Sequence, residues 1–217
     1  MELIREALDF FLHLDTHLTN IIQEYGVWTY GILFAIIFAE TGLVVTPFLP
    51  GDSLLFAAGA LSVGGALNPV LLFVLLTGAA ILGDTVNYWV GSTIGRRAFS
   101  ENARFLKIEH LERTEKFFEK YGGKTIVLAR FLPIVRTYAP FVAGASRMHY
   151  GRFFAFNVIG GVVWVALFIF GGYYFGNIPI VRDNFTIVIL VIIALSLVPP
   201  LVEWARRRYR SPSGPVV

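Results

Sequence analysis

Residues 129–145 read ARFLPIVRTYAPFVAGA, and residues 48–60 read FLPGDSLLFAAGA. Both contain Phe-Leu-Pro and close on Phe-x-Ala-Gly-Ala: Phe56 to Ala60 in one, Phe141 to Ala145 in the other. Both also set charge beside proline in apolar surroundings. A charge at a bilayer centre costs about 2.5–3.5 kcal/mol, and proline breaks a helix interior. A chain that repeats this combination is using it. The two segments read as copies of one unit, each followed by a glycine-rich apolar span, GDTVNYWVGSTIG ending at Gly95 and GGVVWVALFIFGGYYFG ending at Gly176.

The rest of the chain says what surrounds them. Of 217 residues 56% are hydrophobic and only 15% charged, with a mean hydropathy of +0.66. A soluble domain would carry about a quarter charged residues. Apolar stretches at 27–49, 69–95, 153–176 and 185–204 reach the about 20 residues that cross a bilayer as helix. The fold class is therefore an all-α integral membrane protein with about four full transmembrane helices. Residues 1–25 show no cleavable leader. Their apolar positions from Leu3 to Ile22 make one helix face, which predicts an amphipathic helix in the membrane interface.

Charge sets the topology. No Lys or Arg lies between Arg5 and Arg96, eight fall within 96–124, and four within 206–210. Basic loops stay cytoplasmic, so the loop and the C-terminus are expected there, the N-terminal helix is placed on the same side, and the ARRRYR tail reads as an orientation anchor rather than a nucleic-acid site. Stretch 124–145 then enters and leaves on the cytoplasmic side, broken at Pro133 and Pro140. Stretch 47–67 does the same from outside, broken at Pro47, Pro50 and Gly51, with span 27–46 running outward and 69–95 inward. Two re-entrant broken hairpins in an inverted repeat place a binding site near the midplane. Gly144 is expected as a further hinge of the second hairpin. Between the repeats, 100–122 reads as a charged amphipathic helix on the cytoplasmic surface.

Glu40, Asp52, Arg130 and Arg136 left in lipid would cost on the order of 10 kcal/mol together. They are expected to meet where the hairpin tips meet, acids against arginines. Paired forks suit a phosphate or carboxylate, and the desolvated acids are placed to exchange protons. The bland alternative is a buried ion-pair latch. Asp84, with Asn87 and Tyr88, reads either as a polar patch on the same cavity or as a hydrogen-bonded contact between packed helices. Asn157 and Trp164 read as a polar helix contact and interior packing. Cysteine is absent. His13 and His17 stand four apart without a third ligand, so no metal and no cofactor is expected. No membrane-phosphatase pattern and no nucleophile elbow argue for an enzyme.

AETGLVVTPFLPGDSLLFAAGAL, GDTVNYWVGSTIG and GGKTIVLARFLPIVRTYAPFVAGASRMHYGRFFAFNVIGGVVWV resemble the DedA family of bacterial inner-membrane proteins, related to the eukaryotic VTT-domain lipid scramblases. The likeness covers about residues 20–205. It implies a membrane domain over 26–205: repeat one 26–95, repeat two 124–176 and a last span 185–204, with a basic tail 206–217. It implies lipid translocation across the inner membrane, of undecaprenyl phosphate or phosphatidylethanolamine, and ties to the proton motive force. The family's essential acids match Glu40 and Asp52, and its essential arginines Arg130 and Arg136. The expected partners are lipids with an anionic headgroup and protons; a second copy of the chain is left open. The alternative activity is a proton-dependent antiporter of cations or drugs.

Overall fold

A computed structural model describes residues 24–43, 51–95 and 121–179, and the single positions 20, 22, 114 and 118. The amphipathic helix at 1–25 and the charged helix at 100–122 lie almost wholly outside these residues. His13, His17, Pro47, Pro50, the span 185–204 and the basic tail lie outside them altogether. Within them the elements are helical: α1 Trp28–Gly42, α2 Gly51–Leu61, α3 Pro69–Ile94, α4 Thr125–Ala129, α5 Pro133–Ala145 and α6 Tyr150–Gly176.

Two helices are long and apolar enough to cross a membrane, α3 with 26 residues and α6 with 27. At 1.5 Å per residue they reach about 40 Å. Their outward positions stay apolar: Val70, Val74, Leu82 and Trp89 on α3, and Ile159, Val163, Leu167 and Tyr174 on α6, are exposed. A helix apolar on every side belongs in lipid or in a deep core. The start of α3 is fixed locally. Asn68 caps it, its Oδ1 accepting from Val70 and Leu71 N–H at 2.9 and 3.1 Å, and Pro69 takes the first position, where no N–H is missed. Helices α3 and α6 run antiparallel, with Phe73 against Phe170 at one end and Tyr88 against Phe153 at the other.

Of the stretch 27–49, expected to span, the described residues form a 15-residue helix that ends at Gly42, about 22 Å long. Gly26 at φ +52° ends the helical turn before it, a conformation that suits glycine. The expected opposite course of 27–46 and 69–95 is also overturned. Tyr30 Oη accepts from Asn68 N–H at 2.7 Å, and Gly42 lies against Gly83. Helix α1 therefore runs parallel to α3 and stops halfway along it. Helix α5 covers the second half of α3, with Gly91 against Phe141 and Gly144 against Tyr88. Along α6 the order repeats. Helix α4 takes the first half, through Val127 against Gly160, and α2 the second, through Phe56 against Gly172 and Gly59 against Ile169.

Each long helix thus carries two short ones laid end to end, one from each half of the chain. The matched pairs are reciprocal: Gly59 and Phe56 meet α6 as Gly144 and Phe141 meet α3. A Cβ on any of these four glycines, Gly59, Gly91, Gly144 or Gly172, would overlap the backbone of the facing helix, so close approach requires glycine there. Gly144, expected as a hinge, is such a packing residue inside α5. Pro140 also departs from expectation. It sits within α5 without ending it, and removes only the N–H that the Arg136 carbonyl would have accepted. The break falls at 130–132, before Pro133.

Two apolar clusters fill the ends of the bundle, one around Leu33, Leu55, Leu72 and Ile169, the other around Tyr88, Ile126, Val135 and Phe153. Between them lies the level where the short helices break.

Candidate functional site: a charged layer at the helix breaks

The four broken ends carry the charges. Glu40 is in the last turn of α1 and Asp52 in the first turn of α2. Arg130 follows α4, and Arg136 lies one turn into α5. Asp84 stands midway along α3, and Asn157 and Trp164 on α6.

Arg136 holds two acids at once. Its Nη1 donates to Asp52 Oδ1 at 2.8 Å, and its Nη2 pairs with Glu40 Oε1. The N-terminus of α2 steadies both carboxylates. Gly51 N–H donates to Glu40 Oε1 at 3.3 Å, and the positive end of a helix dipole favours acids in its first turn. A Cβ at Gly51 would run into the Glu40 carboxylate. Glycine at 51 therefore leaves room for the acid to reach the helix end, a use beyond the breaking role expected of it. The Trp164 indole N–H donates to Asp52 Oδ1 at 2.9 Å, and the Arg136 guanidinium lies 5.1 Å from its ring centroid, within cation–π range.

Arg130 goes elsewhere. Its Nη2 donates at 2.6 Å to Asp84 Oδ2 and at 2.6 Å to Asn157 Oδ1, and Asn157 Nδ2 donates to the Ile81 carbonyl at 3.0 Å. Its guanidinium lies 5.6 Å from the Trp164 ring centroid. The expectation that Glu40 and Asp52 would share both arginines is corrected: one arginine takes both acids, and Asp84 takes the other. Geometry decides this, since the Glu40 carboxylate reaches from α1 to the start of α2, where Asp52 sits beside Arg136.

The two halves of the layer differ in access. The Arg130 and Asp84 side chains are 1% and 4% exposed, Arg136 and Asp52 11% and 18%. Arg136 is the more accessible of the two guanidiniums. Arg130 Nε and Nη1 and Glu40 Oε2 are buried without a hydrogen-bond partner among the described residues. Among the described residues three carboxylates face two guanidiniums, so these five groups, fully ionised, carry one unbalanced negative charge. Among the described residues no three His, Cys, Asp or Glu side chains are grouped to hold a metal.

Asn157 and Trp164 are part of this layer, not ordinary packing. The signal was their spacing: seven residues apart, they share a helix face with Gly160 and Gly161, the face that admits Arg130. Asn87, three residues from Asp84, is placed likewise. Tyr88 is not in the layer; its hydroxyl donates to the Met148 carbonyl, and its ring stacks on Phe153 at 4.5 Å.

Residues 49–174 match the VTT domain family. Protein DedA of Escherichia coli (strain K12) is 53% identical over 211 residues, 96% of each chain. An uncharacterized membrane protein of Mycobacterium tuberculosis (strain H37Rv) is 47% identical over 180 residues, 81% of this chain and 78% of that one. Inner membrane protein YqjA of Escherichia coli (strain K12) is 38% identical over 152 residues, 70% of this chain and 69% of its own. No solved structure matches. With a helical fold, two membrane-length apolar helices and relatives that are themselves membrane proteins, the chain belongs to the DedA family of VTT-domain membrane proteins.

Proposed function

We propose that the chain is a lipid translocase of the bacterial inner membrane, rather than an enzyme, that passes a phosphate-bearing headgroup through the charged layer. The observation that supports this most is Arg136. It is a partly exposed guanidinium at the meeting point of two broken helices, held by two acids that an incoming anion can replace. A planar fork binds phosphate in two places as it binds carboxylates. Glu40 and Asp52 act as the gate: they occupy Arg136 in the empty state and release it when a headgroup arrives, taking up protons as they do. Arg130, buried on Asp84 and Asn157, is a strut that keeps the layer charged. Undecaprenyl phosphate and phosphatidylethanolamine are the substrates to try first.

In this reading α1 with α2, and α4 with α5, are re-entrant hairpins that dip to the midplane from opposite faces. The course of α1 along α3 supports it, because both start at the same end. With loop 96–124 cytoplasmic, α4 and α5 enter from the cytoplasm and residue 28 lies on the outer face.

Liposomes carrying the protein and a labelled lipid provide the test. Arg136→Ala should slow lipid movement at least tenfold; movement equal to wild type removes the reading. The surplus carboxylate favours a second reading, a proton-dependent antiporter. Proton flux driven by a cation or drug in liposomes, unaltered by added lipid phosphate, would select it.

A further inference from the structure

Asn87 stands on α3 at the level where α1 ends and α5 begins, and it is fully buried. Its Nδ2 donates to the Thr41 carbonyl at 3.3 Å and to the Thr137 carbonyl at 3.0 Å. Both partners are acceptors, so only the NH2 end of the amide can serve them. Its Oδ1 is buried with no hydrogen-bond partner among the described residues. The side chain is therefore placed for its two donors, at the cost of an idle acceptor.

The two carbonyls belong to different halves of the molecule. Thr41 directly follows Glu40 in α1, and Thr137 directly follows Arg136 in α5. Both accept from the one side-chain amide on α3. Thr41 is in the last turn of α1, where helix carbonyls lack an intrahelical partner. Thr137 lies inside α5, next to the Arg136 carbonyl that Pro140 leaves without its helical donor, and its own carbonyl accepts from Asn87. Neighbouring contacts keep α1 close: a Cβ on Gly83, one turn before Asn87, would meet the Thr41 hydroxyl and the Phe38 carbonyl.

We propose that Asn87 is a positioning residue, whose amide clamps the backbones beside Glu40 and Arg136 together and so sets the register of that ion pair. It touches neither charge. It acts by fixing where the two broken helices stand when they present them. This rests on the lipid-translocase reading for its effect on transport, but not for its effect on Arg136.

Asn87→Leu keeps a branched side chain and removes both donors. Trp164, beside Arg136 and bonded to Asp52, reports their position when Trp28, Trp89 and Trp204 are replaced by phenylalanine. The expected result is a folded protein, by circular dichroism, with lipid movement reduced at least tenfold and a shifted Trp164 emission. A folded variant in which either readout is unmoved overturns the proposal. If Asn87→Leu does not fold, Asn87→Asp decides: the shape is kept, the carboxylate cannot donate, and the protonated acid donates once. Its transport relative to wild type should then rise on acidification; a ratio constant with pH overturns the clamp, as does failure of both variants to fold. If the wild type moves no labelled lipid, the translocase reading fails, and Trp164 emission alone decides the clamp.

Discussion

Arg136 and Arg130 are alike in type and different in circumstance, and their variants should separate. Arg136→Lys should recover little of what Arg136→Ala loses in lipid movement, since an ammonium cannot bridge Glu40 and Asp52 as a fork does. At Arg130 the effect is on stability. Asp84→Ala leaves a buried guanidinium without its counter-charge, which destabilises by about 3–5 kcal/mol, while two apolar replacements together are milder. The detergent-solubilised Asp84→Leu/Arg130→Met protein should unfold at a higher temperature than Asp84→Ala; a lower midpoint would contradict the strut. Gly51→Ala should displace Glu40 from the start of α2 and depress transport as Glu40→Ala does, though no charge is changed. The charged residues were legible in sequence because a bilayer penalises each of them. Their pairing was not, because it depends on which helix ends share a level, and Asp84 gave no sign that it lay nearer Arg130 than Glu40 did.

At the scale of elements, the break before Pro133 was legible and the end of α1 at Gly42 was not. Arg130, Pro133 and the flanking basic residues bound the segment 124–145 on both sides. In 27–49 the proline, Pro47, comes five residues after Gly42 and no basic residue flanks the run, so the end of α1 at Gly42 was hidden. Pro140 misled in the opposite direction: one lost helical bond is tolerated where neighbouring helices hold the segment. The corrected arrangement has a direct check. The chain has no cysteine, so single cysteines report sidedness cleanly. Cysteine at Gly65 should react with an impermeant reagent from outside, and cysteine at Ser146 only from the cytoplasmic face. Labelling of both from one face would refute opposed hairpins. The glycine seams make a second prediction. Gly59→Leu and Gly144→Leu each force a helix off its partner, and overpacking of this kind costs about 1–3 kcal/mol. Because the two sites are counterparts, their losses in thermal midpoint should be similar.

For the whole molecule, the repeated Phe-x-Ala-Gly-Ala already announced a duplication, but not how the copies would be joined. The structure exchanges them: the second arm of each half lies on the long helix of the other. Neither half can close its own seams, so the chain cut within 96–120 should give two pieces that survive only when produced together. The same exchange bears on descent. A single ancestral half could have been stable only by inserting both ways up and embracing an inverted twin, and fusing two such genes would have made that embrace permanent.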